Sequence, residues 1–212
     1  MCKSILYFIT LVILFPIFGC QKFQKNSINI DSNSYISRFE LFQENPVNDN
    51  SIRITSERAV IDPLENDIQI YDSSIEILNK NSKDIKVLSG NSTLNNSKNI
   101  IRVFNNVNIS LLESKNYYMT TQSLTWDLNT SFINLDKPLD INFDDSLISS
   151  SNGSYNIKES ILDLNNNIFR RSIYNKDGEE LYNVKVISDL GRWLKQDNSL
   201  EFSSKDNQVE TT

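Results

Sequence analysis

One spaced pattern returns five times along this chain, and a repeat of that kind limits the fold more than anything else in the sequence. The unit is an apolar residue, any residue, Ser or Thr, two residues, a usually small residue, any residue, a large apolar residue, then usually Asp or Asn. After five further residues it closes on apolar-x-apolar. The copies open at Ile54-x-Ser56, Val87-x-Ser89, Met119-x-Thr121, Ile148-x-Ser150 and Val186-x-Ser188. Their centres read Ala59-x-Ile61-Asp62, Ser92-x-Leu94-Asn95, Leu124-x-Trp126-Asp127, Gly153-x-Tyr155-Asn156 and Gly191-x-Trp193-Leu194. They close on Ile68-x-Ile70, Ile101-x-Val103, Ile133-x-Leu135, Leu162-x-Leu164 and Leu200-x-Phe202. The anchors Ala59, Ser92, Leu124, Gly153 and Gly191 are 33, 32, 29 and 38 residues apart. A fixed motif with variable spacers places the insertions in loops.

Within each copy the apolar residues alternate, the mark of a strand with one buried face. In the first, Ile52 and Ile54, then Ala59 and Ile61, fall on alternate positions. Pro63 to Asp67 is a turn, and Ile68-x-Ile70 resumes the alternation. The Asp or Asn at the strand end caps that turn, because its side chain bonds nearby backbone N–H groups. Small anchors such as Ala59 or Gly153 let a backbone or ligand approach closely. A second polar break follows in four copies, at Ser73-Ser74, Asn105-Asn106, Asp136-Lys137-Pro138 and Asn165-Asn166-Asn167. Another short apolar run follows each: Ile75-x-Ile77, Val107-x-Ile109, Leu139-x-Ile141 and Ile168-Phe169. Such breaks suit bends or bulges in a curved sheet. Tyr35 to Phe42 adds a first strand, ended at Glu44-Asn45-Pro46. No helical period appears beyond the N-terminus. The expected class is all-β, with a dozen or more antiparallel strands.

Composition removes several kinds of chemistry. The chain has no His, so Ser-His triads, His-ligated metals and the commonest general base are absent. A net charge of -6 argues against gripping a nucleic-acid backbone. Cys2 and Cys20 are the only cysteines, so no disulfide framework holds the body together. No Gly-rich phosphate loop is present. The Asp62, Asn95, Asp127, Asn156 series stands one per repeat and needs no metal to explain it. We expect no catalytic group, no metal and no cofactor.

The first residues differ from the rest. Lys3 precedes an apolar run from Ile5 to Phe18 that is short for a membrane span and suits a signal-peptide core. Ile17-Phe18-Gly19-Cys20 resembles a bacterial lipoprotein signal, with Cys20 as the lipid anchor; a retained N-terminal helix is the other reading. Residues 1–19 are therefore expected to be a signal peptide or anchor, and 20–34 a flexible tether. Residues 35–205 form the β domain, and 206–212 a disordered tail.

Anchor, tether and repeats of the form apolar-x-Ser/Thr…Ala-x-Ile-Asp…Ile-x-Ile together resemble the LptC family, the periplasmic component of the lipopolysaccharide export ABC transporter, within a wider LptC/LptA/OstA-like group. The similarity covers roughly Tyr35 to Phe202 and is closest from Phe39 to Ala59. Well-known members keep an N-terminal transmembrane helix, where this chain offers a lipobox. The resemblance implies an open, twisted antiparallel β-jellyroll built from about five repeated strand units, with an apolar slot for acyl chains. Its expected partners are lipopolysaccharide, inner-membrane ABC transporter subunits and a periplasmic LptA-like bridge protein, met while membrane-attached on the periplasmic side, with the inner membrane as the expected site. Groove candidates are then Ile61, Ile68, Leu94, Ile101, Trp126, Ile133, Tyr155, Leu162 and Trp193. Trp126 and Trp193 are expected near a rim, where an indole N–H finds a polar partner. Phe39 and Leu41 are candidates for one partner edge, Leu200 and Phe202 for the other. Asp144-Asp145 and Glu179-Glu180 read as solvated loop charges, and Arg170-Arg171 as a surface pair or a contact for a lipid phosphate. Two rival functions are a stand-alone lipid or lipoprotein carrier and a structural β-solenoid; the uneven last step of 38 residues speaks against the solenoid.

Overall fold

The computed structural model describes residues 35–45, 50–62, 64–79, 82–111, 117–195, 197, 199–204 and 210–211, all within one compact unit, Ser32–Thr212. The expected anchor and tether, Cys20 included, lie outside these residues. Among the described residues no helix is long and apolar enough to cross a membrane.

Among the described residues fourteen strands make one sheet. They are β1 (Tyr35–Asn45), β2 (Asn50–Asp62), β3 (Asp67–Asn79), β4 (Ser82–Asn95), β5 (Ile100–Leu111), β6 (Tyr118–Asp127), β7 (Phe132–Leu135), β8 (Leu139–Phe143), β9 (Ser146–Ser150), β10 (Asn152–Asn156), β11 (Ile161–Tyr174), β12 (Glu180–Leu194), β13 (Ser199–Ser203) and β14 (Glu210–Thr211). All pairings are antiparallel, and the order is β1-β2-β3-β4-β5-β6-β7-β10-β11-β12-β13. Neighbours joined by hairpins, rather than stacked rungs, rule out the solenoid. Within the tail expected to be disordered, Glu210–Thr211 instead pair with Val186 and Ile187 of β12.

The repeat explains the shape. Each long strand is broken at one line across the sheet. Arg38, Asp72, Asn105, Asn106 and Asn166 take left-handed φ values of 55°, 48°, 66°, 56° and 54° there. Asn and Asp tolerate that region better than most side chains. The ladder slips at the same line, between Leu88 and Asn91 and between Phe104 and Val107. On either side the partners change: β6 pairs β8 through Tyr118–Thr121 but β7 through Thr125 and Trp126. Likewise β11 meets β10 before the line and β9 after it. The sheet thus folds into two half-sheets whose inner faces bury one common apolar cluster, with Ile54, Ile75 and Ile77 in one half and Leu94, Ile101 and Trp126 in the other. This is the expected open β-jellyroll.

The Ser/Thr slot explains how the line is tolerated. A bend leaves strand carbonyls without ladder partners, and a buried orphan carbonyl is costly. Ser56, Ser89, Thr121 and Ser150 each donate to the carbonyl two residues on: Arg58 at 2.8 Å, Asn91 at 3.1 Å, Ser123 at 3.4 Å and Asn152 at 2.9 Å. Three of them share that hydrogen with a second carbonyl, that of Tyr71, of Pro138 just before β8, and of Asn165. In the fifth copy Ser188 instead accepts from the buried amide of Asn167 at 3.4 Å.

The hairpin tips carry the acid or amide caps. Asp62 Oδ1 accepts from the N–H groups of Leu64 and Glu65 at 2.9 and 3.2 Å; Asn95 Oδ1 from Lys98 at 2.7 Å. Asp127 Oδ1 accepts from Asn129 at 2.9 Å, and Asn156 Oδ1 from Lys158 and Glu159 at 3.1 and 3.2 Å. Where Leu194 breaks the series, the following N–H of Lys195 donates to the Ser160 carbonyl at 3.1 Å. These carboxylate and amide oxygens serve backbone N–H groups, which is the turn-cap role read from the sequence.

Candidate functional site

Register assembles the groove candidates into a single line. Ile61 pairs with Ile68, and the series then runs through Leu94, Ile101, Trp126, Ile133, Tyr155, Leu162 and Trp193 to Leu200. The nine candidates and one edge candidate thus form an unbroken apolar row from β2 to β13. Seven of them, Leu94 to Trp193, are at most 8% exposed. Ile61 is the exception at 42% exposed. It keeps the inward parity of Ala59 but sits at the tip of β2, where only β3 covers it on the row, since β1 ends its pairing at Val60. Ile68 is partly buried against the core.

Directly beside this row runs the line of anchors. Ala59, Ile70, Ser92, Val103 and Leu124 follow one another across β2 to β6, and Leu135, Gly153, Leu164, Gly191 and Phe202 across β7 to β13. Small and large residues alternate over much of it. The reason for glycine is contact with the chain itself: a Cβ at Gly153 would lie 2.7 Å from the Asp163 carbonyl oxygen, and one at Gly191 2.8 Å from Asn167 Nδ2.

The sequence also held a second row that was not read as part of the slot. Leu41, Ile54, Ile75, Val87, Ile109, Met119, Ile141, Ile148, Phe169 and Val186 are cross-strand neighbours in the other half-sheet. All but Val186 lie in or pack against the same core. These are the opening residue of each repeat and the runs after each polar break. Their common spacing was visible; that the bend turns them toward the first row was not, because it depends on the fold line.

The two indoles part company. Trp126, expected near a rim, is 2% exposed in the closed core, and its Nε1–H finds no acceptor among the described residues. Packing of a large ring between β5 and β7 outweighs that polar handle, at a cost of about 1–3 kcal/mol. Trp193 does lie at an opening. Its ring stacks on Tyr117 across the two halves, centroids 5.4 Å apart and planes 12° apart. Tyr117 stacks on Phe143 at 5.5 Å, Phe143 meets Phe169 at 6.3 Å, and Phe169 tilts against Phe202 at 5.5 Å. This aromatic chain spans the C-terminal mouth of the jellyroll. It encloses a cavity of about 320 Å³ lined by Tyr117, Ile141, Phe143, Asp144, Ser146, Ile148, Phe169, Arg171, Trp193 and Leu200.

The sheet order ends on β1 and β13, each with one neighbour. Phe39 of β1 is buried and Leu41 packs partly on the core; Leu200 and Phe202 of β13 are half-buried. On the outer face Arg192 and Asp163 form a 2.8 Å pair that ties β12 to β11. The hydrogen bond and charge of Asp163 push the already high pKa of Arg192 further up. Among the described residues no group of His, Cys, Asp and Glu side chains is arranged to hold a metal ion.

The family model for lipopolysaccharide-assembly, LptC-related proteins matches residues 5–171. The chain belongs to this family. Members of the LptC family are periplasmic components of lipopolysaccharide transport. The match starts inside the apolar N-terminal run and ends at Arg171, so β12 to β14 and the whole fifth repeat lie beyond it. Among solved structures the chain is similar to LptH of Pseudomonas aeruginosa, described as the LptA homologous periplasmic component of the conserved lipopolysaccharide transport device. That similarity has 9% identity and a TM-score of 0.42, over 76% of this chain and 93% of that one. No curated protein matches the chain.

Proposed function

We propose that this LptC-family chain accepts lipopolysaccharide from the inner-membrane ABC transporter and passes it through its apolar interior to a periplasmic LptA-like bridge protein. The observation that carries this reading is the unbroken apolar row from β2 to β13, which runs from beside one sheet edge to the other. Acyl chains need a dry path and no polar chemistry, since burial contributes about 0.8 kcal/mol per CH₂. Both sheet ends present unpaired N–H and C=O groups, which a partner strand completes by edge addition. The β1 edge, with Phe39 and Leu41, faces the transporter; the β13 edge, with Leu200 and Phe202, receives the bridge protein. Energy comes from the ATPase elsewhere in the complex.

In this reading residues 1–19 are the signal or anchor, 20–34 the tether, 35–205 the jellyroll and 206–212 the tail. Either an acylated Cys20 or a retained N-terminal helix holds the domain at the inner membrane; two acyl chains suffice for stable attachment where one does not. The free edges favour this over a stand-alone carrier, which would close its cavity.

The test is photo-crosslinking in living cells, with the reactive residue at exposed Glu201 of β13 for protein and at Leu200 for lipid. We expect Glu201 to capture a second jellyroll protein and Leu200 to capture lipopolysaccharide. A Glu201 probe that captures no protein sinks the bridging role, and a Leu200 probe without lipopolysaccharide sinks the transport path.

A further inference from the structure

We propose that the C-terminal mouth of the jellyroll is a resting site for lipid, and that it takes a single acyl chain with an anionic head. The inference rests on the lipid-carrying reading above and narrows it to one place. From Leu94 to Leu162 the row is at most 5% exposed and belongs to the buried apolar cluster shared by both halves. At the mouth the same row continues as Trp193 and Leu200, but Tyr117, Phe143 and Phe169 hold the two halves apart and a cavity of about 320 Å³ opens.

Volume sets the guest. An apolar cavity of ~150 Å³ holds one benzene ring, so about 320 Å³ accommodates on the order of a dozen carbons, one medium acyl chain and not two. Aromatic walls suit such a chain because they present large rigid apolar faces with little freedom to lose. The rim sets the head. Two charged residues line the cavity, Asp144 and Arg171. Asp144 has a partner within the protein, whereas exposed Arg171 has no ion pair among the described residues. A guanidinium at the rim favours a carboxylate or phosphate, with which it makes charge-assisted hydrogen bonds.

The chain's two tryptophans supply the test, since Trp193 lines the cavity and Trp126 is sealed in the core. The full-length protein is placed in phosphatidylcholine nanodiscs and titrated with brominated dodecanoate, whose bromines quench a touching indole. In Trp126→Phe, where Trp193 is the only reporter, we expect saturable, severalfold quenching; in Trp193→Phe, with Trp126 alone, almost none. Filling the cavity with Ser146→Leu should abolish the Trp193 signal. Arg171→Gln should weaken dodecanoate about tenfold, the effect of losing a hydrogen bond to a charged group. The same variant should leave an uncharged brominated dodecyl maltoside unchanged. Equal quenching of both indoles, or none at Trp193, overturns the assignment. An unchanged dodecanoate affinity in Arg171→Gln overturns the anionic head. Quenching at Trp193 in a chain that captures no lipopolysaccharide in cells sinks the export role and keeps the cavity. Capture without quenching does the reverse.

Discussion

The middle of the jellyroll and its C-terminal mouth are built from the same repeat slots, yet one is solid and the other hollow. Leu94, Ile101 and Trp126 are at most 2% exposed, and Ile109 and Met119 of the second row are buried in the same cluster. Around Trp193 and Leu200 the facing side chains are the rings of Tyr117, Phe143 and Phe169, and the walls stand apart. The lesson is that register alone does not make a channel. Which side chains oppose one another across the fold decides whether a row is core or cavity.

Substitutions can break or sharpen this contrast, starting with the largest. Ile101→Ala, in the solid part, should cost about 2–5 kcal/mol as an uncollapsed void. By thermal unfolding that is a fall of ~2–4 °C per kcal/mol; a change below 1 °C would mean that the middle is not packed as described. Gly153→Val should cost about 1–3 kcal/mol or more, because its Cβ would press on the Asp163 carbonyl backbone. A neutral result in denaturant titration would show that the β10–β11 approach is loose. Ser89→Ala should cost about 1 kcal/mol, since Ser89 joins the buried hydroxyls of Ser73 at 2.8 Å and Ser92 at 3.1 Å. Phe169→Ala, at the mouth, should cost only ~1 kcal/mol in the same assay, as Phe169 is partly exposed and lines the cavity. A loss equal to that of Ile101→Ala would erase the distinction between the regions. Smallest is Asp62→Ala, which removes an exposed turn cap and should cost under about 1 kcal/mol.

Much of this was legible because a strand's period is two and a hairpin's register follows from its turn. Once Asp62 caps the turn at Leu64–Asn66, Ile61 must oppose Ile68 and Ala59 must oppose Ile70. The row from Leu94 to Leu200 follows by repetition of the same rule. The half-sheet split was less visible. The polar breaks at Ser73-Ser74, Asn105-Asn106, Asp136-Lys137-Pro138 and Asn165-Asn166-Asn167 read as bends, but their alignment into one line, with the left-handed residue at Asp72 rather than Ser73, does not follow from the sequence. The Ser/Thr slot recurred plainly, while its use, feeding hydroxyl hydrogens to carbonyls at that line, needed coordinates. Trp126 failed for a physical reason: the rule that an indole seeks a polar partner lost to the area its ring buries between neighbouring strands. The cavity was beyond reach, since it depends on Tyr117 meeting Trp193 from the opposite half, a contact between residues far apart in sequence.

The aligned bends have a mechanical meaning. Along that line the ladder slips, and side-chain hydroxyls bond across it, Ser56 to Tyr71, Ser73 to Ser89 and Ser150 to Asn165. Such a line behaves as the spine of a book. Turning one cover against the other would reorient a few Ser and Thr donors but would also part the apolar cluster the two halves share, so the core and not the spine holds the book shut.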